Sequence, residues 1–383
     1  MSLHFTPSEF AARQARLGAA LAGRRLDGML LFSQNSMYWL TGYDSFGFCF
    51  FQCLYVGADG RTALLTRSAD LRQAKHTSTV ANIRVWRDGA RAEPARDLAA
   101  MLRDLGVAGQ RLGVEFGAHG LPYADGLQLV AALDGQVETV DATALIPALR
   151  VTKSEAEIAY VRRAAALSDA ADQAAIDRLG PHADEGEILA AQHAAIFVGG
   201  GEEPGNAFII GSGADALLCR SKAGRRKLDT DDQITLEFAG AYRHYHAAIM
   251  RTHVVGRPRP LHKAYHAAAR EALLACESEL RPGRTAGDVF AAHARVLDSH
   301  GLGAHRLNAC GYSLGATFAP SWMDAPMFYD ANPFVIPENG VFFLHMILMD
   351  SESETALCLG RTSLVGVHTA QPLNASKLDL VLR

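Results

Sequence analysis

Apolar positions recur along this chain in two rhythms, and the change between them falls near residue 150. Up to that point short apolar runs alternate with amphipathic stretches. The runs at 28–32, 49–56, 62–65, 83–86, 111–114 and 137–140 have the length and the bounding turn residues of buried strands. The opening Thr6-Pro-Ser-Glu9 has a capping threonine, proline at the first helical position and glutamate three residues after the cap, which predicts a helix running to about residue 23. Strands alternating with helices imply an α/β layer built on a mixed, mostly buried sheet.

Beyond Pro147-Ala-Leu-Arg-Val-Thr-Lys153 the segments lengthen. Ser154-Glu-Ala-Glu157 is a capping box in sequence, and behind it apolar residues at helical spacing predict an alanine-rich helix over 158–179. Further helices are predicted over 185–197, 261–280 and 286–300, interleaved with long strands. The boundary is expected between Ile146 and Lys153, giving domains of residues 1–150 and 151–383. Each is long enough to bury its own core.

Composition narrows the function classes. Hydrophobic residues make up 49% and charged residues 20% of 383, with a net charge of −4, the balance of an ordinary globular protein. The basic clusters Arg24-Arg25 and Arg225-Arg226-Lys227 are too short to track phosphates, so nucleic acid is not expected as a partner. No basic-then-apolar leader and no charge-free apolar window of membrane-spanning length is visible, so no membrane partner is expected. Six scattered cysteines without a CxxC pair read as free thiols in a reducing cytoplasm.

The most informative stretch is Ile234-Thr-Leu-Glu-Phe-Ala-Gly-Ala-Tyr-Arg-His-Tyr-His-Ala-Ala-Ile-Met-Arg-Thr-His-Val-Val-Gly256. It resembles the signature hairpin of the creatinase/aminopeptidase ("pita-bread") family. Asn35-Ser-Met-Tyr-Trp-Leu-Thr-Gly42, Leu149-Arg-Val-Thr-Lys-Ser-Glu155 and Cys310-Gly-Tyr-Ser-Leu-Gly315 resemble further motifs of that family in the expected order. The resemblance implies an α/β N-terminal domain, an α+β pita-bread C-terminal domain and a homodimer.

In the metallopeptidases of the family two aspartates, a histidine and two glutamates hold two metal ions, hard divalent cations that need several oxygen ligands. Aligned by motif, these positions fall on Glu237, Ala248, Tyr312, near Pro320, and near Gly360 or Arg361. One carboxylate of five cannot hold a pair of metals, so no metal and no other cofactor is expected. The pattern Glu237, Ala239, Gly240, Arg243, Tyr245, His246, Arg251, Thr252, with Cys310-Gly-Tyr312 followed by Pro320 and Trp322, resembles the metal-free ectoine-hydrolase branch. Ser321, Met323 and Asp324 depart from that branch and put the substrate in question. Creatinase, also metal-free, uses a histidine on a loop that corresponds here to Leu217-Leu-Cys-Arg-Ser221, which has none.

Expected roles follow. Glu237 is the nucleophile or general base toward an amide or amidine carbon. His345, in an otherwise apolar run and in need of a partner such as Glu237, moves protons together with His246. Tyr312 donates to a developing oxyanion. Arg251 holds a substrate carboxylate, and Trp322, Tyr38, Trp39, Tyr43 and His244 line the substrate. Period-two alternation puts His244 and His246 on one strand face, which leaves open a mononuclear metal at that pair with Glu237. The expectation is a metal-independent hydrolase of a small C–N compound: a cyclic amidine, an N-acyl or a guanidino amino acid. The alternatives are an Xaa-Pro dipeptidase-like metallopeptidase with a rearranged site and an inactive homologue that only binds a small ligand.

Overall fold

The computed structural model describes residues 3–383. The chain divides into two compact units, Met1–Arg150 and Val151–Arg383. The first contains, in chain order, α1 (Pro7–Gly23), β1 (Gly28–Leu31), α2 (Gln34–Thr41), β2 (Cys53–Gly57), β3 (Thr62–Arg67), α3 (Leu71–Thr77), β4 (Asn82–Trp86), α4 (Pro94–Asp104), β5 (Arg111–Val114), α5 (Tyr123–Leu133), β6 (Glu138–Asp141) and α6 (Leu145–Arg150). Its six strands form a mixed sheet in the order β4-β3-β2-β1-β5-β6. The hydroxyl of Thr6 accepts from the Glu9 backbone N–H, as the opening sequence predicts, but the Glu9 carboxylate pairs with the buried Arg13. The run at 49–56 is not one strand. A 3-10 turn occupies Gly47–Cys49, and Phe46 and Phe50 lie exposed before the strand begins at Cys53.

The second unit contains α7 (Glu155–Ile176), α8 (Glu185–Val198), β7 (Ile209–Ser212), β8 (Asp232–Tyr242), β9 (Tyr245–Val255), α9 (Pro260–Glu279), α10 (Ala286–Ser299), β10 (Ala309–Ser313), β11 (Asp324–Tyr329), β12 (Val341–Asp350), β13 (Thr355–Val365) and β14 (Ala370–Pro372). The predicted capping box is present: the Ser154 hydroxyl accepts from the Glu157 N–H, and the Glu157 carboxylate accepts from the Ser154 N–H. The antiparallel sheet runs β11-β10-β12-β13-β9-β8-β7, with β14 paired to β13.

Side-chain alternation gives this sheet two unlike faces. Leu344, Met346, Leu357 and Leu359 pack on Ala268, Ala272, Leu273 and Cys276 of α9. On the same side α7 crosses the β8–β9 hairpin at Gly240, where an added Cβ would lie 2.7 Å from the Ser168 nitrogen. The Ser168 hydroxyl reaches across to the hairpin, accepting from Gly240 N–H and donating to Ala247 C=O. The opposite face carries Glu237.

Candidate active site

Register fixes which residues share that face. Glu237 on β8 pairs with Met250 on β9, Met250 with Gly360 on β13, and Gly360 with His345 on β12. Phe343, two residues before His345, pairs with Tyr312 on β10. Glu237, His345 and Tyr312 therefore converge on one surface from three strands. Between them lie Ala248, Met250 and Gly360, with the Phe343 ring resting on Gly360.

Glu237 is half-buried, and its Oε1 accepts a hydrogen bond from the Tyr312 hydroxyl at 3.1 Å. That hydroxyl in turn accepts from Trp322 Nε1 at 2.9 Å. Tyr312 and Trp322 are buried, so this relay is shielded from water and its geometry is fixed by packing. Burial raises the Glu237 carboxyl to about 7, against the opposing pull of the Tyr312 hydrogen bond and the Arg220 charge. Burial, and then the neighbouring Glu237 charge, pushes the Tyr312 phenol above its usual range.

Arg220 and Cys219 reach the same surface from the loop between β7 and β8. Ser221 ties the loop to Ile210 through the main chain. Arg226 clamps its far end through Asp232 at 2.5 Å and Ser212, and Gly224 N–H is held by Glu185. Arg220 is exposed, and among the described residues its guanidinium has no ion-pair partner, yet its charge acts on Glu237, Tyr312 and His345 alike. In the sequence this loop stands out only for its missing histidine, and nothing local marks Arg220 as part of the site.

His345 occupies the face as expected, but Glu237 does not partner it. Its Nδ1 is buried without a hydrogen bond, and its ring leans on Tyr312 at 5.7 Å between centroids. Burial first, then the charges of His293 and Arg220, drop its pKa to about 3, so the ring is neutral at physiological pH.

Other expected site residues are placed elsewhere or engaged otherwise. His246 shares the Glu237 face, but both ring nitrogens are occupied. Its Nε2 accepts from Gly205 N–H at 2.9 Å, which puts the proton on Nδ1, 3.1 Å from Thr317 Oγ1. Burial, then His244, lowers its pKa to about 3, so it braces the loops at 205 and 317 rather than shuttling protons. His244 is not on a strand. It sits in the two-residue turn between Tyr242 and Tyr245 at φ +64°, stacked on Phe318 at 4.1 Å, so it does not pair with His246 as a metal ligand. Arg251 pairs with Leu236 rather than Glu237 and lies on the opposite face, its Nη1 donating to the carbonyls of Met250 and Gly360. Trp322 supports Tyr312 from within the core rather than lining an open surface. Tyr38, Trp39 and Tyr43 are interior residues of the first unit. Tyr38 bonds His4, Trp39 carries Arg13 and Arg16 over its ring, and Tyr43 bonds Gln52 and Thr66.

The donor set does not suit a dinuclear metal centre. Glu237 is the face's carboxylate, and Thr362 spends its hydroxyl on the Ala248 backbone. Among the described residues no group of three or more His, Cys, Asp or Glu side chains is disposed to hold a metal ion.

Known proteins match along the whole chain. The model of metallopeptidase family M24 matches residues 159–368, and that of the creatinase/prolidase N-terminal domain matches residues 13–152. An uncharacterised hydrolase/peptidase of Sinorhizobium fredii is 26% identical over 100% of this chain and 99% of its own length. The ectoine hydrolase of Halomonas elongata is 25% identical over 90% of both. Among solved structures, the dipeptidase PepE of Mycobacterium ulcerans superposes with a TM-score of 0.85 at 24% identity, covering 99% of each chain. By these family matches in succession along its length, the chain belongs to metallopeptidase family M24 and has the two-domain creatinase/prolidase fold.

Proposed function

We propose that this member of a hydrolase family cleaves a C–N bond in a small, carboxylate-bearing molecule, a cyclic amidine of the ectoine class or an N-acyl or guanidino amino acid, without a metal ion. The observation that carries the reading is Glu237: a carboxyl raised to about 7 by burial, with one oxygen held by Tyr312 and the other without a hydrogen bond among the described residues. A base is most effective when its pKa lies near the working pH, because it is then largely deprotonated yet still basic. Glu237 takes a proton from water as the oxygen attacks the amide or amidine carbon. The same carboxyl returns that proton to the leaving nitrogen as the C–N bond breaks. Arg220, the unpaired cation of the face, holds the substrate carboxylate, and neutral His345 offers a hydrogen bond from the opposite side. Likeness to ectoine hydrolase over 90% of the chain supports the substrate class.

The dipeptidase reading is favoured by a relative named as a probable dipeptidase, at 28% identity over 82% of the chain. It requires a metal set for which this face offers one carboxylate. The test is turnover of cyclic amidines, N-acyl diamino acids, guanidino acids and Xaa-Pro dipeptides by the wild type and by Glu237→Gln. The substitution keeps shape and removes the base, so the rate is expected to fall at least ~10²-fold. Retention of more than about a tenth of the rate would remove Glu237 from the chemistry. A ligand that binds and returns chemically unchanged would make the protein a binding homologue.

A further inference from the structure

On the helix-covered side of the sheet lies a cavity of about 420 Å³ bounded by α7, β9 and the segment 375–383. The segment is tethered at both ends. Asp169 accepts from the backbone N–H groups of Ala375 and Ser376 and from the Ser376 hydroxyl, and Val254 exchanges main-chain hydrogen bonds with Val381 and Arg383. Beneath it the cavity is floored by Arg251, His253 and Asp172, which are 3%, 1% and 4% exposed.

These three side chains have unmet hydrogen-bonding capacity. Arg251 Nη2, both ring nitrogens of His253 and Asp172 Oδ1 lack partners, although Asp172 Oδ1 and His253 Nε2 lie 3.7 Å apart. Buried polar groups are ordinarily satisfied, and an unpaired buried charge is the costliest exception. Among the described residues the floor therefore presents to one space an Arg251 Nη2 without a hydrogen bond and an Asp172 carboxylate held only by a loose 3.7 Å contact to His253. Around them Asp169, Lys377, Asp379 and Arg383 add two charges of each sign. A simple anion would meet Asp172 and a simple cation would meet Arg251. A molecule carrying both charges satisfies both.

We propose that this cavity is a second ligand site, separate from the Glu237 face, that takes a free α-amino acid with its carboxylate on Arg251 and its ammonium on Asp172. His253, on the same floor, supplies a further hydrogen bond to the carboxylate. The volume leaves room for a side chain beyond the zwitterionic head.

The test is thermal melting of the full chain against each of the twenty standard amino acids, with acetate and ethylamine as the two half-ligands. A ligand that binds only the folded state raises the midpoint with concentration. The expected result is a saturable rise with one or more amino acids that Asp172→Asn weakens at least tenfold and Glu237→Gln leaves intact. Should Asp172→Asn fold poorly, Ala375→Trp plugs the cavity from an exposed position and should abolish the same rise. No response to any amino acid overturns the proposal, as does a response that both cavity variants retain. Loss of the response in Glu237→Gln assigns the binding to the other face, and an equal response to acetate overturns the zwitterion.

Discussion

A single carboxyl carries the chemistry proposed for this chain, and its surroundings make its pH dependence calculable in sign. Glu237 is raised to about 7 because burial penalises the anion more than Tyr312 and Arg220 stabilise it. Only the carboxylate can take a proton from water, so kcat/KM should climb as pH rises through about 7 in the free enzyme. Tyr312→Phe removes a hydrogen bond that favours the anion, so the rising limb should move to higher pH. Arg220→Gln should move it the same way and also raise KM for substrates that carry a carboxylate. A pH–rate profile of each variant checks both, and a limb that moves toward acid would contradict the assigned contacts. Because Trp322 holds the Tyr312 oxygen, Trp322→Phe should copy the Tyr312→Phe shift in weaker form. The Tyr312 hydroxyl donates to Glu237, so a donation to a developing oxyanion requires it to leave that carboxylate.

Between residue and fold stands the β8–β9 hairpin, whose two-residue turn decides what the site contains. Arg243 and His244 both take positive φ, so Tyr242 pairs with Tyr245 and every later partner is set. Reading His244 as a strand residue hides this. With the turn in place, Glu237 must face Met250, and Arg251 must point to the other side. The capping box at Ser154, the long helices and the period-two face of Glu237 were legible because each is a local pattern. Arg220 and the closed environment of His246 were not, since both depend on loops that meet only in three dimensions. The hairpin also has a back, and Gly240 is where α7 rests on it. A Cβ at Gly240 would overlap the Ala164 carbonyl and the Ser168 nitrogen, all of them backbone or backbone-fixed atoms that cannot yield. Gly240→Val should therefore lower unfolding stability by ~3 kcal/mol, at the upper end of overpacking costs. The denaturant midpoint measures it, and a loss below about 0.5 kcal/mol, the size of a neutral surface change, would mean that α7 does not seat there.

Across the whole molecule, membership of a metallopeptidase family and a site with one carboxylate pull in opposite directions, and chelation distinguishes them. The sheet is held by continuous antiparallel pairing and by packed apolar layers, with buried polar ties such as the bidentate Glu277–Arg361 pair at 2.7 Å. The face itself pairs Glu237 with Tyr312 and fills the neighbouring positions with Ala248, Met250, Gly360 and the Phe343 ring. Hard divalent cations need several oxygen ligands, and this surface supplies too few. The purified protein should therefore carry no stoichiometric divalent metal, and a chelator should change neither turnover nor the melting midpoint. A structural or catalytic metal bound only by the folded state would contribute stability that the chelator removes, by about 4 kcal/mol for a metal at a thousand times its dissociation constant. One tightly held ion per chain, with turnover lost to the chelator and restored by that ion, would favour a metallopeptidase built on a different set of ligands. Unchanged melting and unchanged turnover leave Glu237, tuned by burial rather than by a cation, as the group that activates water.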